Sequence, residues 1–355
     1  MFPELDKVEK ELFRKFEYGE EEFLKIIQTR NLDKIVKENP DHIVKFKDIL
    51  ISAFSYAYKN KVGFSRAHLF IQRILYYINR LKIFWFDKLD NYINEDSFVI
   101  FEIKSEIERQ WAFWENSQIE IDYIKTLKTG DSLRERVKED LNPLLGDDQL
   151  FIRNNISIEG YKRLLAITSL DGLVEASQLS RTLGGMGGEV QLILTKILWE
   201  EYGCGKLSNK HSSFFIDMLN ELDMKTEPEA YFDVTPWEVL ANINHSFYLS
   251  DKKQNYLRYV GGLLYTEVSA PSGFINYLKA GERIGLSKKG TGYWSVHIKE
   301  DVRHGQLMLN EAALPLATQF KDDSWQIIWG YDQQKFINSR ATKSIANSIR
   351  ELKAN

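Results

Sequence analysis

The densest chemistry in the chain lies in His297-Ile298-Lys299-Glu300-Asp301-Val302-Arg303-His304. On an α-helix, positions i, i+4 and i+7 share one face. At about 100° per residue the two histidines are separated by roughly 700°, almost two full turns, and Asp301 stands between them on the same stripe. Two imidazoles and a carboxylate on one rigid element can ligate a metal. Nitrogen and oxygen donors without thiolate suit iron, manganese or zinc. The plainer alternative is a solvated polar face. Against it stand Trp294, Ile298, Leu307, Met308 and Ala312, which make the segment apolar. A buried His-Asp-His stripe is costly unless paired or metallated. Arg303 falls off this stripe and is not assigned to a metal.

A second cluster is Glu200-Glu201-Tyr202-Gly203-Cys204-Gly205, followed by Ser208-Asn209-Lys210-His211. The glycines allow a tight turn between two helices, and Ser208 or Asn209 can cap the second. Glu201 can then project from a helix end toward His211. An ordinary acidic helix end with a histidine near a cap is the alternative. Two more glutamates stand in apolar company: Glu175 in Leu173-Val174-Glu175-Ala176 and Glu267 in Leu264-Tyr265-Thr266-Glu267-Val268. A glutamate so placed needs a partner, either a metal or a buried cation. His42, His68 and His245 have no matching acids and read as surface or core histidines. Tyr202, Tyr265 and Trp294 are candidates for a substrate pocket, or plain core aromatics.

The elements that must position these residues are helices. Three-to-four spacing of apolar positions predicts helices over 4–17, 20–38, 42–60 and 64–82, with one long helix or two over 95–128. Turn residues gather at 129–150 (Gly130-Asp131, Asn142-Pro143, Gly146-Asp147), which places a domain boundary near 145. Beyond it, helices are expected over 157–183, 187–202, 208–222, 235–249, 254–280, 291–318 and 321–350. No hairpin signal and no repeat is evident. The glycines at 184–188 lack the Lys-Ser/Thr ending of a phosphate loop, and no strand precedes them.

Composition narrows the function classes. The 355 residues are 43% hydrophobic and 13% aromatic, enough for a substantial core. Forty-seven basic against 51 acidic residues leave a net charge of −4, with no global drive toward nucleic acid or anionic membrane. One cysteine, Cys204, excludes an internal disulfide and a cysteine-based metal site. No apolar run reaches the length of a membrane span and no secretory signal opens the chain, so a cytoplasmic location is expected.

Taken in order, Glu-Tyr-Gly-x-Gly, a histidine, an isolated glutamate and His-x3-Asp-x2-His resemble the haem-oxygenase-like diiron oxidases and oxygenases. The resemblance covers about 150–350. It implies an all-α fold: a seven-helix haem-oxygenase-like bundle over 146–355, preceded by a helical accessory or dimerisation domain over 1–145. It implies metal ligands at Glu201, His211, Glu267 (able to bridge two metals), His297, Asp301 and His304. Glu175 matches an additional ligand found in the N-oxygenating branch, as a fixed or a mobile ligand.

The resemblance further implies a diiron site with O2 as co-substrate, an external electron donor and no haem. Four carboxylates against two Fe(II) ions make the reduced cluster formally neutral, which suits a low-dielectric core. The implied activity is N-oxygenation of an amine of an amino acid or related small molecule, from hydroxylamine toward nitroso or nitro products, in specialised metabolite biosynthesis. A carboxylate-binding arginine is expected for an amino-acid substrate. A homodimer is expected, and neither a membrane nor a nucleic-acid partner. No cupin domain follows, so rearrangement of an N-hydroxylated product is not expected. Oxidative lyase or desaturase chemistry on a fatty or amino acid is the alternative within the fold. A metal-free helical interaction protein is the alternative outside it.

Overall fold

The computed structural model describes residues 3–59, 63–85, 88–174, 176–185 and 187–352. Among them every regular element is helical and no strand occurs, as the periodicity predicts. No described helix is long and apolar enough to cross a membrane. The chain divides into two compact units, Met1–Gln118 and Ile119–Asn355.

The first unit holds α1 (Pro3–Ile27), α2 (Leu32–Glu38), α3 (Val44–Tyr58), α4 (Phe64–Asn79) and α5 (Phe98–Asn116). Helix α1 runs straight through Gly19, where the spacing predicts a break between two helices. A side chain there would press on Ile49 and Phe70 at 2.7 and 3.0 Å, so the glycine serves helix packing rather than a turn. Phe16, Phe23, Phe46, Phe70, Ile74 and Trp111 form the apolar interior.

The second unit holds α6 (Ile121–Ile124), α7 (Thr129–Leu141), α8 (Asp147–Asn155), α9 (Ile158–Gly172), α10 (Glu189–Glu201), α11 (His211–Glu221), α12 (Trp237–Asp251), α13 (Tyr256–Arg283), α14 (Gly292–Leu307), α15 (Leu314–Gln319) and α16 (Trp325–Glu351). The division falls at 118/119 rather than near 145, because α7 belongs to the second core. Its Leu133 and Val137 are buried there with Tyr331. Its Asp140 accepts a hydrogen bond from Tyr331 Oη at 2.9 Å, and Arg136 pairs with Asp332 at 2.7 Å.

Helices α13 and α16 approach at two glycines. A Cβ on Gly261 would lie 1.9 Å from the carbonyl oxygen of Ile327, and one on Gly330 would lie 1.9 Å from that of Arg258. Backbone therefore packs on backbone. The helix expected over 157–183 stops at Gly172, which sits against the Phe215 ring with no room for a side chain. After a turn with Ala176 at φ 54°, the chain continues as a 3-10 segment, Ser177–Thr182.

Candidate metal centre

Glu201 is the last residue of α10, and His211 is the first of α11. The turn between them is made by left-handed backbone at Gly203 (φ 64°), Cys204 (φ 51°) and Gly205 (φ 79°). A Cβ on Gly203 would meet the Lys210 backbone nitrogen at 2.4 Å, so only glycine lets the chain fold back this tightly. The return sets His211 Nδ1 2.7 Å from Glu201 Oε2. Ser208 and Asn209 do not cap α11; Lys210 holds that position without a side-chain hydrogen bond.

Helix α14 carries His297, Asp301 and His304, all buried, on the stripe expected from their spacing. His297 Nε2 faces His211 Nδ1 at 3.0 Å and lies 3.9 Å from Glu201 Oε2. Its other nitrogen, Nδ1, lies 2.8 Å from the Tyr293 carbonyl oxygen, one turn back. Helix α13 brings Glu267. Pro271, four residues on, has no N–H to give to the Glu267 carbonyl, so α13 lacks that backbone hydrogen bond. Gly305 of α14 packs against Val268 and the Glu267 carbonyl there. The Glu267 carboxylate reaches 3.3 Å from His304 Nδ1. Immediately beyond α14, Met308–Ala313 are π-helical, a rare form that is frequent at functional sites.

Two overlapping groups result: Glu201, His211 and His297, and Glu201, Asp301 and His304, each with donor atoms within 4.8 Å of one another. Glu201 is the shared member, one oxygen toward each group. His304 Nδ1 is the nitrogen that faces the most carboxylates. It is buried and makes no hydrogen bond, yet lies 3.3 Å from Glu267, 3.5 Å from Glu201 and 3.8 Å from Asp301. Buried imidazole and carboxylate donors that converge in this way fit a pair of divalent cations such as iron. Glu175 lies outside the described residues.

Burial and the neighbouring charges pull the protonation of these groups in different directions. Burial, then the nearby Glu267 charge, holds the Asp301 carboxyl well above its ordinary pKa. Burial also raises Glu267. Burial would raise Glu201 as well, but the His211 contact and the neighbouring imidazoles outweigh it and leave Glu201 lowered. Burial would lower His304, and the carboxylates of Glu267, Glu200 and Glu201 overcome it to push the imidazole up to about 9.

Residues 162–333 match the profile of a family described as iron-containing redox enzymes. Over this span the chain is similar to the iron-containing redox enzymes. The matched span is all-α with a haem-oxygenase-like architecture, and it includes every member of the two groups above. The chain is also 28% identical over 156 residues to a nitrosourea synthase of Streptomyces achromogenes subsp. streptozoticus. The match covers 43% of this chain and 32% of that protein, so the chain spans about a third of that relative's length.

Beside the cluster lies a cavity of about 170 Å³, walled in part by Glu201, Glu267, His297 and Asp301. Its aromatic wall is Tyr259, Phe274 and Tyr293, with Gln178, Ser246, Thr266 and Gln334 as neutral polar groups. The three aromatics read from the sequence lie elsewhere. Tyr202 is on the surface under the Lys210 ammonium. Tyr265 packs edge-on against Tyr331, and Trp294 Nε1 donates to Tyr161 Oη at 2.7 Å. A helical signal existed for the true wall. Tyr293 lies one turn before His297, and Leu263, Ala270 and Phe274 lie at i−4, i+3 and i+7 from Glu267. Among the described residues no lysine or arginine lines the cavity, so the expected arginine for a substrate carboxylate has no candidate there. Sequence reasoning also missed Glu200, whose Oε2 lies 2.9 Å from His304 Nε2. His68 and His245 are core histidines and His42 is exposed.

Proposed function

We propose that the chain is a non-haem diiron oxygenase that N-oxygenates an amine of an amino acid or related small molecule, with O2 as co-substrate and an external electron donor. The observation that carries this reading is the pair of buried donor groups sharing Glu201 beside a small cavity. Glu201, His211 and His297 would hold one iron, and Glu201, Glu267, Asp301 and His304 the other. Bound iron would supply oxygen activation and the redox equivalents. The chain's own residues hold the substrate and exclude water. Tyr259, Phe274 and Tyr293 shield the reacting side, and Gln178, Ser246, Thr266 and Gln334 offer hydrogen bonds.

An amine nitrogen must be neutral to act as a nucleophile, and its free pKa is near 10. The aromatic wall of Tyr259, Phe274 and Tyr293 favours the neutral form, and cations held by Glu201, Glu267 and Asp301 would cancel the carboxylate charge that opposes it. Nitrogen as the oxidised atom is supported by the name of the related nitrosourea synthase.

The test is anaerobic Fe(II) loading and metal analysis, then incubation with candidate amines under labelled O2 and mass spectrometry of the products. About two irons per chain and labelled oxygen on nitrogen are expected. Loss of CO2 or of two hydrogens would replace the reading with lyase or desaturase chemistry. Absence of metal uptake would end it in favour of a metal-free scaffold.

A further inference from the structure

His304 has a built support on its Nε2 side. Its Nε2 lies 2.9 Å from Glu200 Oε2. The Arg303 guanidinium grips that carboxylate at 3.2 and 2.7 Å and reaches Glu300 at 2.8 Å. A carboxylate accepts and cannot donate, so the hydrogen of a neutral His304 resides on Nε2. Nδ1 then presents its lone pair to Glu201, Glu267 and Asp301. His297 is arranged in the opposite sense. Its Nδ1 hydrogen goes to the Tyr293 carbonyl, and Nε2 faces the cluster.

We infer that Glu200, clamped by Arg303, is a positioning residue that fixes His304 as an Nδ1 ligand backed by a carboxylate. The inference rests on the metal-centre reading above. Three features carry it. Glu200 adjoins Glu201, so the turn that aims one carboxylate inward at the donor groups aims the next at the back of His304. Arg303 adjoins His304 and ties Glu200 to α14 from outside the donor set. His304 Nδ1 is the buried nitrogen without a hydrogen bond, so the ring's orientation is set from its Nε2 side alone. A carboxylate behind a ligating imidazole fixes ring and tautomer and raises donor strength, and losing one typically costs 10–100-fold in metal affinity.

The experiment uses the full chain and the metal alone. Zn(II) and Co(II) affinities are measured by competition with a chromophoric chelator for wild type, Glu200→Leu, Glu200→Gln and Arg303→Met. Nitrogen-15 correlation spectra of the Zn(II)-loaded proteins report which His304 nitrogen carries the proton. Wild type should show His304 with the proton on Nε2 and metal on Nδ1. Glu200→Leu should lose about 10–100-fold in affinity and that spectral signature, with its circular dichroism unchanged. Glu200→Gln keeps an acceptor oxygen and should recover much of both. Arg303→Met should fall between wild type and Glu200→Leu.

Wild-type affinity and an unchanged His304 signature in Glu200→Leu would overturn the inference while leaving the metal centre intact. Metal on Nε2 in the wild type would overturn it as well. If wild type takes up neither metal, the metal-centre reading fails and this inference fails with it.

Discussion

Two adjacent glycines of α13 should respond to the same methyl group in opposite directions. A Cβ on Gly261 would stand 1.9 Å from the Ile327 carbonyl oxygen. Close carbon–oxygen contacts between packed elements run to about 3.3 Å. In Gly261→Ala, α13 and α16 must therefore part by more than about 1 Å, and a carbonyl cannot rotate aside as a side chain can. Overpacking costs about 1–3 kcal/mol, and this contact belongs at the upper end. Alanine returns about 1 kcal/mol of helix propensity. The net loss is about 2 kcal/mol, which in a unit of this size lowers the melting temperature by about 4–8 °C. At Gly262 the nearest atoms are Gln334 Cβ and Oε1 at 3.6 Å, an ordinary contact. Gly262→Ala should keep the propensity gain and melt at or above wild type. Its methyl would enter the cavity that Gly262 lines, so ligand binding rather than folding should suffer. Thermal melts followed by circular dichroism decide. If Gly261→Ala melts at or above wild type, or both variants fall alike, the backbone-to-backbone account of this helix pair is wrong.

Other perturbations separate the parts of the site. Glu201→Ala should lose both metal equivalents while His211→Ala loses one, because Glu201 belongs to both groups; equal losses on metal analysis would contradict the shared role. Metal at 100 times its Kd should stabilise the chain by about 2.7 kcal/mol, and chelation should reverse the shift in melting temperature. Asp301→Asn should stabilise the metal-free protein near neutral pH, since burial and Glu267 disfavour the Asp301 charge. The same variant should lose the metal-dependent gain, which paired melts with and without Zn(II) would show. His245 is buried, and burial followed by Arg258 and Arg340 lowers its pKa. The unfolded chain then binds this proton first, near pH 6.5. Stability is unaffected above that pH and falls below it by up to about 1.4 kcal/mol per pH unit. Denaturant melts from pH 7.5 to 5 should show that slope in wild type and a shallower one in His245→Gln.

How legible each part of this site is in the sequence depends on the distance over which its relation is encoded. His297, Asp301 and His304 are legible because the helical period places them together within a single element. Glu201 and His211 are legible because glycines at 203 and 205 announce a reversal between them. The turn residues of 142–148 announce a loop just as truly. A loop is not a domain boundary, however, and the boundary depends on which core Leu133 and Val137 enter. Glu200 carries no local mark at all. Its relation to His304 arises only where the end of α10 meets α14, and no period within either segment encodes that meeting.

The same reasoning explains why pattern finds helices here more readily than the centre they build. The donors cluster where regular helix is interrupted. Helix α10 ends at Glu201, α13 loses a backbone hydrogen bond at Pro271 below Glu267, and the π segment begins four residues after His304. An uninterrupted helix satisfies its own backbone and presents an even face. Each interruption lets neighbouring chains approach or turn, as at Gly203 against Lys210 and Gly305 against Val268. Read along the chain these are only ends and blemishes of separate elements. Folded together they bring carboxylates and imidazoles from four helices, two of them joined by a tight turn, within reach of one another.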